Sequence, residues 1–139
     1  MVSLGDPGWA LFAPRVILGA IFIAHGYPKL FKDFQGTAGF LAGLGFIPGR
    51  FWALVLGATE FFGGFALLLG FFSRLAAGLL IISMTIATLL KIFKWKVPFT
   101  KRKEVGWEWD ALILAGLIAI FLLGAGNASL DQTLGWIWG

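Results

Sequence analysis

Four apolar segments, each about as long as a bilayer core is thick, constrain this chain more than any other feature. They cover residues 9–30, 51–70, 74–93 and 107–124. A helix needs roughly 20 mostly apolar residues to cross the hydrocarbon core. Hydrophobic residues make up 59% of the chain and charged residues only 13%, whereas about a quarter of a soluble domain is charged. The sequence therefore predicts an all-α integral membrane protein, with residues 1–139 forming a single transmembrane domain built as a four-transmembrane-helix bundle.

Basic residues cluster at two of the three loops between these segments. Nine of the eleven Lys and Arg residues flank loops one and three, and only Arg15 and Arg74 lie towards the opposite side. Cytoplasmic loops of membrane proteins are enriched in Lys and Arg. The sequence thus predicts a multi-pass protein of the cell membrane with both termini extracytoplasmic (N-out, C-out).

Ionisable residues inside the apolar segments are candidate functional residues, because charge is costly within a bilayer. The polar residues and glycines of segment one lie on one face of the predicted helix, within an arc of about 120°. This face consists of Arg15, Gly19, Phe22, His25, Gly26 and Lys29. Since small residues let helices approach closely in membranes, we expect this face to look into the bundle.

Depth along each helix suggests which polar side chains meet. Glu60 lies near the centre of segment two, and Arg15 lies about 7 Å from the centre of segment one at 1.5 Å per residue. We therefore predict an Arg15–Glu60 ion pair or hydrogen-bonded contact, with Arg74 as the competing partner of Glu60. His25 and Asp110 both lie about 8 Å to the cytoplasmic side of their segment centres, so they would meet if segments one and four are neighbours.

These residues form a candidate site with two kinds of role. Glu60 and His25 have the chemistry of catalytic acid–base groups, and the candidate ligand-binding residues are Arg15, Phe22, Lys29, Arg74 and Asp110. Structural roles stay open: Arg15 as the counter-ion of Glu60, His25 as a satisfied polar residue, and Lys29 or Arg74 as interface anchors. The chain has no Cys and a single His, so no metal site is expected.

Several stretches in this order resemble the DoxX family of small four-span membrane proteins. They are an Arg ten residues before "HGYPKL", a mid-segment "ATEFFGGFALLLGFFSR" and the ending "GAGNASLD". The matching positions are Arg15, His25, Gly26, Lys29, Glu60, Gly63, Gly64, Gly70, Arg74, Gly124, Gly126, Ser129 and Asp131. The resemblance implies a link to membrane oxidoreductases, since some DoxX-like proteins are subunits of an archaeal thiosulfate:quinone oxidoreductase.

Residues and resemblance together favour a membrane subunit of a quinone-linked oxidoreductase complex, with a polar site near Arg15, His25 and Glu60 that binds quinone or relays protons. Two alternatives stay open: a transporter or channel for a small solute or protons, and a structural or assembly factor. The expected partners are the lipid bilayer, a second oxidoreductase subunit and, through glycine-rich faces, further copies of the chain. Nucleic acid is not expected, because anionic lipid head groups better explain the basic cluster at 94–104.

Overall fold

The computed structural model describes residues 7–136, in which the regular secondary structure is helical. A 3₁₀ turn (Pro7–Leu11) leads into the first helix, and π-helical segments continue two of the helices, at Pro28–Lys32 and Leu90–Lys94. The α-helices are α1 (Phe12–Tyr27), α2 (Phe34–Gly43), α3 (Gly49–Leu69), α4 (Ser73–Leu89), α5 (Glu108–Leu123) and α6 (Leu130–Leu134).

Three helical stretches are long and apolar enough to cross a membrane: Pro7–Lys32, Gly49–Leu69 and Ser73–Lys94. They correspond to the first three predicted segments. The fourth corresponds to α5, which has 16 residues and is shorter than the roughly 20 that a perpendicular crossing needs. The fourth crossing, and with it the placement of both termini, stays a prediction.

Glycines set the contact between α1 and α3. A Cβ added to Gly19 would lie 2.7 Å from the carbonyl oxygen of Gly64, and one added to Gly64 would lie 2.7 Å from the amide nitrogen of Ile23. Near the other end, Gly26 lies directly against the backbone of Phe61. The glycine face of α1 therefore looks into the bundle, as predicted, and the two backbones touch along much of their length.

The π-helical segment after α1 begins at Pro28, which has no N–H to donate to the preceding turn. The amide of Asp33 donates to the carbonyl of Pro28, five residues back, at 2.8 Å. Asp33 then caps α2, because its side chain accepts from the amide of Gly36 at 3.0 Å. This short helix packs on α3, where Ala38 and Leu41 surround a fully buried Ala53.

A larger core joins the long helices. It includes Leu18, Phe22, Leu67, Leu80, Leu117 and Ile120. Phe22 is only 2% exposed within this cluster. The prediction that Phe22 binds a ligand is not supported by this position, since its ring is a packing element of the core.

Candidate functional site

A cavity of about 510 Å³ lies between α2, α3 and α4, in the half of the bundle nearest loops one and three, which carry most of the basic residues. We call it the main cavity. Small-molecule sites typically have volumes of about 300–1,000 Å³ and mostly apolar walls. The walls here are aliphatic and aromatic for the most part; they include Leu41, Leu56, Ile82, Ile86, Phe40 and Trp95. The last two rings stack across the gap between α2 and the end of α4, with centroids 6.0 Å apart.

Lys29 and Glu60 form an ion pair in the wall of this cavity. The lysine Nζ donates to Oε2 of the carboxylate at 2.5 Å, and both residues line the cavity. The carboxylate side chain is 8% exposed and that of the lysine 29%. The pair can therefore offer both an N–H donor and a proton acceptor to a molecule held in a mostly apolar space.

A second lysine reaches the cavity from α4. Lys91 lines it and donates from Nζ to Oδ1 of Asp110 at 2.8 Å. Asp110 is 3% exposed, and its Oδ2 lies 3.4 Å from the hydroxyl of Thr88, which donates to the carbonyl of Met84 at 2.7 Å. The predicted meeting of His25 with Asp110 is wrong, because Asp110 faces α4 and its partners are Lys91 and Thr88.

The predicted Arg15–Glu60 ion pair is also wrong. Arg15 is fully buried, and its guanidinium donates to the carbonyls of Leu67 at 3.3 Å and Ala128 at 2.9 Å. The prediction aligned the centres of the two helices, whereas the glycine contacts stagger them. Gly26 lies against Phe61, so Glu60 lies beside the end of α1 that carries Lys29, several turns from Arg15.

Arg15 belongs to a junction at the end of the bundle opposite the basic loops. Gly70 ends α3 in the left-handed conformation, with φ 67°, directly against Arg15 and Ser129. Asp131 accepts from the amides of Phe72 at 2.7 Å and Ser73 at 2.9 Å. We call Arg15, Gly70, Ser129 and Asp131 the distal junction; it ties the chain beyond α5 to the turn between α3 and α4.

His25 does not face the bundle. It is exposed, and its Nδ1 lies 2.9 Å from the carbonyl oxygen of Ile21 on the same helix. At 100° per residue it lies about 80° from Arg15, whereas the buried residues of this face lie within about 40°. Its position at the edge of the arc explains why the prediction failed. His25 does not line the cavity.

Arg74 is not a partner of Glu60. It lies at the start of α4 and borders a separate cavity of about 420 Å³ with Gly78 and Phe121. Its Nε is buried and has no hydrogen-bond partner within residues 7–136. Of the predicted site residues, Glu60 and Lys29 thus meet at the main cavity. Asp110 does not line the cavity but pairs with Lys91, which does. The others, Arg15, Phe22, His25 and Arg74, lie elsewhere.

The sequence reasoning missed two parts of this site. The wall formed by α2 was not predicted, although Asp33 is a typical helix-capping residue at its start. Lys91 was counted only as a basic flanking residue. Among the residues that the structure describes, no group of three or more His, Asp or Glu side chains is arranged to hold a metal ion.

The sequence model of the DoxX family matches residues 10–93, which is more than half of the chain. The chain belongs to the DoxX family. It is also 28% identical to the inner membrane protein YqjF of Escherichia coli (strain K12), over 99% of this chain and 100% of that protein. No solved structure matches. The matched DoxX region includes Lys29, Glu60 and Lys91, and together with the three apolar helices it identifies a membrane protein.

Proposed function

We propose that this DoxX protein is the membrane subunit of a quinone-linked oxidoreductase complex, and that the main cavity holds the quinone head group. The observation that carries the proposal is the Lys29–Glu60 ion pair in the wall of an apolar cavity. Intramembrane charges that are paired and face a cavity are typical of substrate and proton sites. The volume of about 510 Å³ suits one substituted ring together with the first part of an apolar tail.

Each member of the pair has a defined role in this proposal. A lysine ammonium carries three N–H donors, and Lys29 gives one of them to Glu60. A further donor is available for a carbonyl oxygen in the cavity. Glu60 holds the ammonium in position and can accept or return a proton as the charge on that oxygen changes. A bound quinone would supply two-electron, two-proton redox chemistry.

A partner subunit is part of the proposal. The chain has no cysteine, so it cannot perform thiol–disulfide exchange itself. In this proposal, electrons come from, or pass to, a redox group on a second protein. The loops that bear most of the basic residues lie at the same end as the cavity and are the surface on which such a partner would bind.

The polar residues give little support to a continuous transport path. Arg15 would have to face such a path, but its guanidinium is fully buried and bonded to backbone carbonyls. His25 bonds to its own helix. The distal junction instead favours a structural role for Arg15.

The proposal is tested by extracting the full chain, purified in mild detergent from its native membrane, and measuring the quinone that it carries. We expect a near-stoichiometric amount in the wild-type protein and less than a third of it in Lys29→Met. The matched control is Lys32→Met, since Lys32 lies on the same segment but does not line the cavity. Quinone content no higher than in an unrelated membrane protein purified in the same way would overturn the proposal.

A further inference from the structure

A four-residue pattern occurs twice in the chain. Residues 29–32 read KLFK and residues 91–94 read KIFK. Each makes up the last four residues of a π-helical segment, the first at Pro28–Lys32 and the second at Leu90–Lys94. Turns of π-helix are rare and are frequently found at functional sites. Two occurrences of the same motif in the same unusual conformation indicate a shared role.

The first lysine of each motif is used in the same way. Lys29 pairs with Glu60 on α3 at 2.5 Å, and Lys91 pairs with Asp110 on α5 at 2.8 Å. In both cases the lysine follows one long helix and the carboxylate lies on the long helix packed against it. The carboxylate side chains are 8% and 5% exposed. Both ion pairs are therefore built into helix–helix contacts.

Both of these lysines line the main cavity, whereas the second lysine of each motif, Lys32 or Lys94, does not. Lys29 enters from the α1 and α3 side, and Lys91 enters from the α4 side. Each ammonium gives one donor to its carboxylate and so keeps others for a ligand. The cavity therefore has a cationic donor in each of two different walls.

We propose that Lys29 and Lys91 are paired anchors of one ligand, so that the cavity selects a ring with hydrogen-bond acceptors at two separate edges. This inference rests on the proposed function and deepens it: the ligand class is a ring dione, with one carbonyl oxygen for each lysine. Asp110 is the positioning residue for Lys91, as Glu60 is for Lys29.

Two probes of similar size separate this inference from general apolar binding. They are 2,3-dimethyl-1,4-naphthoquinone, which has two carbonyls, and 2,2-dimethyl-1-tetralone, which has one. Dissociation constants are measured by equilibrium dialysis with the full chain in detergent. The wild-type protein is expected to bind the dione about tenfold more tightly, the value of one charge-assisted hydrogen bond.

The test variant is Lys91→Met with Asp110→Asn, because the second change avoids leaving a buried unpaired carboxylate. We expect its preference for the dione to fall to about twofold or less, while its affinity for the ketone stays within about twofold, since Lys29 remains available. Lys94→Met, in the same motif but outside the cavity, is expected to keep the full preference.

Three results would overturn the inference. The first is that the double variant keeps the tenfold preference for the dione. The second is that it binds neither probe while its circular dichroism and Tm match the wild type. The wild-type protein could also bind the two probes equally well, which would refute the paired anchors and leave a quinone site in the cavity intact. Failure of the wild-type protein to bind either probe would instead contradict the proposed function itself.

Discussion

Lys29 and Glu60 are 31 residues apart in the chain, and their side chains meet at 2.5 Å in the wall of the main cavity. The contact joins the end of α1 to the middle of α3. It replaces the Arg15–Glu60 pair that helix depth alone predicted. The ion pair holds two long helices in register and also places both charges beside an apolar space.

Removing one partner of this pair is expected to destabilise the protein. Lys29→Met leaves Glu60 buried without its counter-ion, at a cost of about 1–3 kcal/mol. Lys29→Met combined with Glu60→Leu removes both charges and should recover most of that loss, because apolar replacements of buried ion pairs are often neutral. Thermal unfolding in detergent, followed by circular dichroism, measures both variants.

The double variant also separates structure from function. If the pair serves the ligand as well as the fold, Lys29→Met with Glu60→Leu regains its Tm but binds no quinone. A double variant that recovers both stability and quinone content would show that the pair is only structural.

The distal junction predicts a strong effect at Gly70. Alanine there must adopt the left-handed conformation, which costs about 1–2 kcal/mol, and its Cβ would also collide with Arg15 and Ser129. Gly135 is the matched control, because its φ of 64° is similar but no atom of residues 7–136 lies in contact with an added Cβ, within 4 Å. We expect Gly70→Ala to lower the unfolding free energy at least twice as much as Gly135→Ala. Equal losses of unfolding free energy in the two variants would contradict the predicted collision with Arg15 and Ser129.

Gly64 of α3 and Gly39 of α2 should respond in opposite directions to alanine. Gly64→Ala would push its Cβ into the backbone of α1, 2.8 Å from the carbonyl oxygen of Gly19, and should lower the Tm by several degrees. Gly39→Ala in α2 meets open space within the described part of the chain and should raise stability by about 0.5–1 kcal/mol through helix propensity. A destabilised Gly39→Ala variant would contradict the structure of α2.

The orientation can be tested cleanly because the chain has no cysteine. Single cysteines at Lys103 and Gln132, both exposed, report the basic loop and the region beyond α5. In intact cells, a membrane-impermeant maleimide is expected to label Gln132→Cys but to label Lys103→Cys only after the membrane is permeabilised. Both positions labelled on the same side would show that α5 does not cross the bilayer.

Hydropathy and helical phase predicted much of the fold. The first three segments were located to within a few residues, because long apolar runs bounded by Gly, Pro and charged residues leave few alternatives. The glycine face of α1 was assigned correctly because 100° per residue fixes which side chains share a face. The burial of Arg15, Phe22 and Gly26 agrees with that assignment.

The stagger between helices could not be obtained in the same way. It depends on which glycine lies against which backbone, as in the contact of Gly26 with Phe61, and neither hydropathy nor phase encodes that choice. The wrong prediction of Arg15 as the partner of Glu60 followed from not knowing this stagger. The cavity was missed for a related reason, since its α2 wall is a ten-residue helix, too short to appear as an apolar segment.

Ala87 and Ala115 provide the comparison that decides whether the cavity binds quinone. Ala87 on α4 lines the cavity, so Ala87→Phe fills part of it, whereas Ala115 on α5 is exposed on the outside of the bundle. The measurement is the quinone content of each purified variant relative to wild type. We predict a loss of at least fivefold in Ala87→Phe and no change in Ala115→Phe. Full quinone content in a folded Ala87→Phe variant would contradict the assignment of the cavity as the quinone site.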